Sequence, residues 1–320
     1  MAEQTTSTLR VGTRASALAR AQSGQVAARL EQALGRPVEL VDVTTEGDVS
    51  RASLASLGGT GVFVSALRDA LLRGDVDVAV HSLKDLPTAP AEGILLAAVP
   101  LREDPRDVVV ARDGLTLGEL PAGARVGTGS PRRVSQIQAL GLGLRLVDVR
   151  GNVDTRIGKV RSGDLDAVVL ARAGLARLGR VDDATEVLDP LQVLPAPGQG
   201  ALAVECRADD PVAEAVREAL DDPCTRAGVT AERTVLAVLE AGCAAPVGAL
   251  AEVVDGEQGE ELWLRAVALS IDGTVAVRRS ASTPYDDIEA AEVLGRTLAE
   301  EMLSDGAADL IDNRQIASSK

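Results

Sequence analysis

Short apolar runs rich in β-branched residues alternate with longer segments of helical period from residue 9 to about residue 210. This alternation is typical of an α/β fold, because buried strands and amphipathic helices follow one another along the chain. We predict strands at 38–43, 76–80, 94–98, 108–111, 125–127, 144–149, 167–170 and 201–205. The clearest predicted helices span 16–34, 62–72, 132–139, 153–161 and 211–220.

Two segments rich in proline, glycine and charge, 100–106 and 189–200, interrupt this pattern. Their composition is typical of linkers between domains. We predict that 1–102 and 199–222 form domain 1, that 103–198 form domain 2, and that 223–320 form domain 3. Domain 3 is predicted as an α+β module, with a helix at 223–240, strands at 247–254, 261–270 and 275–280, a helix at 286–302 and a frayed tail at 313–320.

Aromatic residues are scarce: Phe63, Trp263 and Tyr285 are the only ones among 320 residues. The core must therefore consist of Val, Leu, Ile and Ala, and the chain lacks aromatic platforms on which nucleic-acid bases could stack. The formal net charge of -15 also repels phosphate backbones. We therefore expect no nucleic-acid partner. Only an observation of salt-dependent binding to DNA would support a nucleic-acid-binding protein.

The N-terminal residues are acidic and polar, and no run approaches 18 apolar residues. We therefore expect neither a secretory signal nor a membrane anchor. The three cysteines, Cys206, Cys224 and Cys243, have no C-x-x-C spacing, which favours free thiols in a reducing compartment. These features predict a cytoplasmic protein with no membrane partner.

Positive charge is concentrated between residues 121 and 180, a segment that contains ten Arg and one Lys but only four Asp and no Glu. Four of these arginines, Arg132, Arg133, Arg150 and Arg156, follow predicted strands, where α/β sheets open their ligand crevices. Because arginine binds carboxylates through two parallel hydrogen bonds, the pattern predicts a polyanionic substrate. The alternatives are ordinary surface ion pairs and a phosphate ligand, although the chain has no G-x-x-x-x-G-K-[ST] motif.

The segment HSLKDLP at 81–87 follows the apolar run VDVAV and therefore lies where a strand leaves the sheet. It contains His81, which is the only histidine of the chain, together with Lys84 and Asp85. A carboxylate at such a position could exchange protons with a cationic amine or stabilise a positively charged intermediate. A turn closed by ordinary polar contacts is the alternative interpretation.

Cys243 lies in a turn of small residues after a long predicted helix, a position that favours an accessible and reactive thiol. Cys206 is embedded in the strand-like run ALAVEC and fits a buried structural residue, whereas Cys224 fits either role. The single histidine and the scattered cysteines predict no metal site.

Eight motifs in this order resemble the porphobilinogen deaminase (hydroxymethylbilane synthase) family over nearly the whole chain. They are VGTRAS at 11–16, GVF at 61–63, VHSLKDLP at 80–87, GTGSPRR at 127–133, RGNVDTR at 150–156, AGLARL at 173–178, PGQG at 197–200 and GC at 242–243. The resemblance implies two α/β lobes like those of periplasmic binding proteins, with mixed sheets, and a smaller C-terminal α+β domain. It further implies a monomeric transferase of haem-type tetrapyrrole biosynthesis that adds four porphobilinogen molecules to a dipyrromethane cofactor and releases hydroxymethylbilane.

The resemblance also implies residue roles. Cys243 would carry dipyrromethane through a thioether, Asp85 would act on the pyrrole nitrogens and in deamination, and Phe63 would line the cleft. Carboxylate and cofactor binding would fall to Arg14, Ser16, Ser82, Lys84, Thr128, Ser130, Arg132, Arg133, Arg150, Arg156, Arg177 and Gln199. Each added ring brings two carboxylates, which would explain the arginine-rich domain in an acidic protein.

Four positions depart from the family pattern. Ser56 and Thr60 stand where lysines are common, and Gly129 and Pro131 replace the more usual Ser and Leu. These changes predict altered loop chemistry, or a divergent paralogue with another rate or substrate. The rival to a transferase is a non-catalytic binder of an anionic metabolite, which would leave Cys243 unmodified.

Overall fold

A computed structural model describes residues 8–43, 61–242, 245–257 and 259–311, except for the side chains of 61–63. The chain divides into two compact units. The first unit contains Met1–Arg102 and Ala201–Arg226, and the second contains Glu103–Gly200 and Ala227–Lys320. The tail predicted at 313–320 lies outside the described residues.

The first unit is built on a mixed five-stranded sheet. Its strands are β1 (Leu9–Thr13), β2 (Val38–Asp42), β3 (Val78–Ser82), β4 (Ile94–Ala98) and β10 (Leu202–Arg207), in the order β2-β1-β3-β10-β4. Strand β1 is parallel to β2 and β3, whereas β10 is antiparallel to β3 and β4. Helices α1 (Ala17–Leu34) and α6 (Val212–Leu220) bury Leu30 and Val216 in one apolar cluster, and α2 (Gly61–Arg73) buries Leu67 in another.

The second unit contains another mixed five-stranded sheet. Its strands are β5 (Asp107–Ala111), β6 (Arg125–Gly127), β7 (Arg145–Val147), β8 (Ala167–Ala171) and β9 (Glu186–Val187), in the order β7-β6-β8-β5-β9. Strand β6 is parallel to β7 and β8, and β5 is antiparallel to β8 and β9. Helix α3 (Pro131–Ala139) packs in one apolar cluster, and α4 (Val153–Arg161) and α5 (Arg172–Arg177) pack in a second.

The C-terminal domain lies in the second unit except for the first turn of its first helix, and it consists of a three-stranded antiparallel sheet with helices. Its elements are α7 (Pro223–Val238), β11 (Val247–Gly256), β12 (Gly259–Leu269), β13 (Ala276–Pro284), α8 (Ile288–Ser304) and α9 (Ala307–Ile311). Val235, Leu264 and Leu298 share the main core of this domain. A second cluster joins Leu250, Val267 and Leu269 to Leu194, so the sheet also packs against the segment that precedes Gly200.

A buried carboxylate strengthens this connection. Glu232 of α7 is fully buried and accepts hydrogen bonds from the backbone N–H groups of Gly198, at 2.6 Å, and Ala251, at 2.8 Å. The backbone N–H of Ala249 donates to the Pro195 carbonyl at 3.0 Å. The C-terminal domain is therefore bound to residues 194–198 by polar as well as apolar contacts.

The turn between β12 and β13 fits closely against α3. Gly273 has a φ of +72°, and a Cβ atom there would lie 2.4 Å from the Ser135 carbonyl oxygen and 2.8 Å from the Ala139 nitrogen. Both of those atoms belong to helix backbone, which cannot move aside as a flexible side chain can. The site therefore requires a residue without a side chain.

Gly273→Ala is expected to lower the free energy of unfolding by about 3 kcal/mol, because left-handed strain and the overlap with α3 add together. Gly306→Ala is the matched control, since its φ is +89° but its Cβ would meet nothing within 4 Å. The control should lose only about 1 kcal/mol from backbone strain. Urea unfolding of the two variants checks this, and equal losses would show that the fit against α3 contributes nothing.

The α/β class and the C-terminal α+β domain are confirmed, while element ends differ from the predictions by a few residues. Strand β1 and the short β9 were not predicted, and the strand expected at 76–80 lies at Val78–Ser82. The helix expected at 223–240 ends at Val238. The strand expected at 275–280 extends to Pro284.

Candidate active site

The carboxyl ends of β1 and β3 carry five of the predicted site residues. The two strands are parallel neighbours, so their ends meet at one edge of the first sheet. Arg14 and Ser16 follow β1, Ser82 closes β3, and Lys84 and Asp85 follow it. The Oγ of Ser16 caps α1 by accepting from the Ala19 N–H at 3.2 Å. These five residues therefore lie in one region of the first unit.

Asp85 lies in a single 3₁₀ turn, Leu83–Asp85, that is fixed to the sheet. The fully buried Leu83 donates its N–H to the Ala201 carbonyl at 3.0 Å. The Ser82 hydroxyl accepts from the Gln22 side-chain amide at 2.9 Å. The Asp85 carboxylate is partly exposed, and no group in the part of the chain that the structure describes pairs with it. A rigid turn thus presents a carboxylate that is available to a ligand.

The carboxyl end of β6 carries a second group of predicted residues, next to a buried carboxylate that the sequence analysis missed. Asp107, at the start of β5, is fully buried. Its Oδ2 accepts from Arg132 at 2.8 Å, and its Oδ1 accepts from Arg133 at 2.7 Å. The Gln199 side-chain amide donates to the same Oδ1 at 2.7 Å. One carboxylate therefore holds three predicted site residues together.

Electrostatics favour this arrangement strongly. Burial alone would raise the pKa of Asp107, but the charges and hydrogen bonds of Arg132 and Arg133 outweigh that effect and hold the pKa well below its usual range. Arg132 also donates to the Leu194 carbonyl at 2.6 Å, and Arg133 donates to the Val169 carbonyl at 3.0 Å. Both guanidinium groups are thus fixed in place by the protein itself, and their binding of ligand carboxylates stays a prediction.

Arg156 and Arg177 are in a different electrostatic state. Within the described residues, neither makes an ion pair: Arg156 donates to the Gly151 carbonyl at 2.9 Å, and Arg177 donates to the Gly200 carbonyl at 2.6 Å. Burial lowers the pKa of both, and for Arg156 the charge of nearby Arg133 lowers it further. The charges of Asp148 and Glu103 raise the pKa of Arg156 and Arg177, respectively, without cancelling the effect of burial, so an anionic ligand would stabilise both side chains.

The remaining predicted residues of this unit surround α3 and α4. Thr128 is buried after β6, and its hydroxyl accepts from the Ser130 N–H at 3.2 Å. Ser130 precedes the first turn of α3, whose N-terminus favours anions. Arg150 is exposed, with its Nε 3.4 Å from Asp148. Together with Arg156, these residues offer several cationic or hydrogen-bonding groups near the ends of β6 and β7.

Some predicted positions cannot be placed. Cys243, Ser56 and Thr60 lie outside the described residues, as does the side chain of Phe63. The other two cysteines are placed: Cys206 is buried on β10, where burial raises the pKa of its thiol to about 12, and Cys224 is exposed. The structural interpretation of Cys206 is therefore confirmed.

One feature of the sequence points to Asp107. It is an acidic residue that begins a run of three valines, and the basic segment 121–180 follows soon after. A carboxylate at the start of a buried strand requires a cationic partner, and buried arginines likewise require an anionic partner.

Among the described residues, no group of three or more His, Cys, Asp and Glu could hold a metal ion. No helix in the described ranges is long and apolar enough to cross a membrane.

The fold and these sites define a class of protein: an α/β protein with two sheet-based lobes, whose strand ends carry several arginines and one partly exposed carboxylate. Solved structures with a similar fold include the methionine-binding protein MetQ, with a TM-score of 0.44 and 13% identity over 66% of this chain and 89% of that chain. A periplasmic substrate-binding protein from Coxiella burnetii gives a TM-score of 0.43 and 15% identity, covering 67% and 92%.

Two family models match the chain. Residues 9–215 match the dipyromethane cofactor binding domain of porphobilinogen deaminase, and residues 227–304 match its C-terminal domain. Porphobilinogen deaminase 1 of Streptomyces coelicolor is 62% identical over 312 residues, covering 96% of this chain and 98% of that protein. The porphobilinogen deaminase of Mycobacterium tuberculosis is 57% identical over 308 residues, covering 95% and 98%.

The chain belongs to the porphobilinogen deaminase family. It is accordingly a transferase of tetrapyrrole biosynthesis that uses a dipyrromethane cofactor and takes porphobilinogen as its substrate. The family and the cofactor expected from the sequence motifs are both confirmed.

Proposed function

We propose that Asp85 and the arginines of the second unit perform this reaction on a primer carried by Cys243, with four additions before hydroxymethylbilane is released. The observation that carries the proposal is the Asp85 carboxylate, which is partly exposed on a rigid turn and has no partner among the described residues. A negative charge held there stabilises positive charge that develops on a bound amine or pyrrole.

Arg156 and Arg177 are suited to binding the carboxylates of the cofactor, because both are partly buried cations that form no ion pair within the described chain. The acetate and propionate groups of dipyrromethane and of each substrate ring supply such carboxylates. When bound, dipyrromethane supplies the nucleophilic pyrrole to which the first substrate ring is joined. Arg132 and Arg133, already held by Asp107, give the anion site a fixed positive potential.

Asp85 would have two tasks on the substrate side. Its carboxylate holds the cationic aminomethyl group as ammonia departs, and it then accepts a hydrogen bond from the pyrrole N–H of the attacking ring. Lys84 and Ser82 lie beside it at the end of β3, where they supply further donors for ligand carboxylates. On the sequence resemblance alone, we also propose that the protein acts as a cytoplasmic monomer.

The attachment is tested by the intact mass of the denatured protein, before and after incubation with porphobilinogen. We expect wild type to carry a two-pyrrole adduct that grows in pyrrole-sized steps, and Cys243→Ala to carry none. Cys224→Ala is the matched control, since Cys224 is an exposed thiol elsewhere in the chain. An adduct that survives in Cys243→Ala would refute the attachment site, and an unmodified wild type would favour a non-catalytic binder.

A further inference from the structure

A buried ion pair lies in the first unit, outside the groups that the proposed mechanism uses. Glu205 of β10 accepts two hydrogen bonds from Arg68 of α2, from Nε at 3.0 Å and from NH2 at 2.6 Å. The Nε2 of His81 on β3 lies 3.2 Å from Glu205 Oε2, the oxygen that also accepts from Arg68 Nε. The side chains of His81 and Glu205 are only 5% and 3% exposed. Three polar side chains therefore meet inside an otherwise apolar layer.

Strand register explains why His81 and Glu205 meet. In the antiparallel pair β3 and β10, His81 lies opposite Ala203, and Glu205 lies two residues further along on the same face. That face also carries Ala79, which packs with Leu67 and Leu71 of α2. Arg68 thus reaches Glu205 from the helix that covers this face of the sheet.

Stability alone is a poor explanation for this cluster. Replacing a buried ion pair by apolar residues of similar volume is often neutral or stabilising, because two charges must be removed from water. Burial alone would raise the pKa of Glu205, but the contacts with His81 and Arg68 outweigh it and lower the pKa to about 2. The Glu205 carboxylate is therefore ionised at neutral pH, and its position is set by Arg68 of α2 and His81 of β3.

The location of the cluster suggests its role. His81 directly precedes Ser82, the last residue of β3, and the turn Leu83–Asp85 follows at once. Ser82 points to the opposite face, where Gln22 of α1 donates to its hydroxyl at 2.9 Å. On the β10 side, the Ala201 carbonyl accepts from the Leu83 N–H. The end of β3 is thus held on both faces just before Asp85.

We infer that Glu205, oriented by Arg68, is a positioning residue that holds His81 and so fixes the strand end that carries Asp85. This inference rests on the proposed function of Asp85. Removing the carboxylate frees His81 in a buried layer, and the turn then samples positions that misplace the Asp85 carboxylate. Small misplacements of a catalytic group can reduce rates by about 100-fold.

Two double variants separate positioning from stability. Arg68→Met with Glu205→Leu replaces the pair by apolar side chains, and Arg68→Glu with Glu205→Arg keeps an ion pair but places a guanidinium beside His81. The apolar double variant should unfold at a urea concentration near that of wild type. In both double variants, kcat should fall by about 10- to 100-fold, while KM stays within about threefold.

Two single variants test the same inference without relying on either double variant. Glu205→Gln keeps an oxygen that can accept from His81, so kcat should stay within about threefold of wild type. Asp77→Asn is the matched control, because Asp77 pairs with Arg10 at the opposite end of β3 from Asp85. It should lower stability and leave kcat per folded molecule unchanged. Intact mass confirms that each variant carries its cofactor.

The outcomes distinguish this inference from the proposed function. A charge-swapped variant that folds and turns over like wild type overturns the inference, as does a Glu205→Gln variant that loses as much activity as the apolar pair. If Asp85→Asn is inactive while all Glu205 variants are normal, only the positioning role fails. If Asp85→Asn keeps full activity, the proposed role of Asp85 fails instead.

Discussion

Asp85→Asn is expected to reduce the turnover of porphobilinogen by about 1,000-fold while leaving the fold intact. The amide has nearly the same shape as the carboxylate, but it lacks the negative charge that, in the proposed mechanism, stabilises the aminomethyl cation as ammonia departs and the attacking pyrrole. The structure predicts little effect on stability, because the Asp85 side chain is partly exposed and pairs with no group in the described chain. Initial rates of ammonia release, measured on protein with a verified cofactor, provide the test.

Glu92→Gln is a suitable control for Asp85→Asn. Glu92 is an exposed carboxylate of the same unit, seven positions further along the chain. Its neutralisation should leave the rate within about twofold of wild type, because exposed charges act weakly over a distance. A rate for Asp85→Asn within tenfold of wild type would show that the carboxylate does not carry the chemistry.

Asp107→Ala is expected to lower the free energy of unfolding by about 3 to 5 kcal/mol, because it leaves Arg132 and Arg133 buried without their counter-charge. Asp166→Asn is the matched control in the same unit. Asp166 also pairs with two arginines, Arg112 and Arg125, but at sites where both guanidinium groups are about 40% exposed. That change should lose no more than about 1 kcal/mol, and similar losses in the two variants would contradict the prediction.

The same carboxylate predicts how stability depends on pH. The folded-state pKa of Asp107 lies below its unfolded value of about 4, so its contribution is complete above that pH and is lost as pH falls towards the folded value. Glu205, with a pKa of about 2, adds a second loss of the same sign below about pH 4. Urea unfolding between pH 6 and pH 3 should therefore show a steeper loss of stability for wild type than for Asp107→Ala.

Local sequence pattern located most of the strands to within a few residues, together with the residues that follow them. Asp85, Arg132 and Arg150 all lie within a few residues after predicted strands, and the structure places each near the carboxyl end of a strand. Strand β1 was missed because five residues, two of them Arg10 and Gly12, give too little apolar periodicity. The ends of helices shifted because caps such as Ser16 are defined by backbone geometry as well as by residue type.

Contacts between distant residues could not be predicted in this way. Arg68 and Glu205 are 137 positions apart, and their pairing depends on the antiparallel placement of β10 beside β3. Asp107 meets Arg132 and Arg133 only because β5 lies beside β8 in the second sheet. Sequence alone showed an excess of arginine in one segment, and only the structure shows which guanidinium groups already have a carboxylate partner.

The contacts of the C-terminal domain have a consequence for cooperative unfolding. Melting this domain would remove the partner of Leu194, leave the Gly198 N–H without the Glu232 carboxylate, and detach Gly273 from α3. Each loss destabilises residues that precede 200 in the chain, so local opening of the two parts is energetically coupled. Slow hydrogen exchange in β12 and in α3 should consequently report the same opening event, even though the two family models separate these elements into different domains.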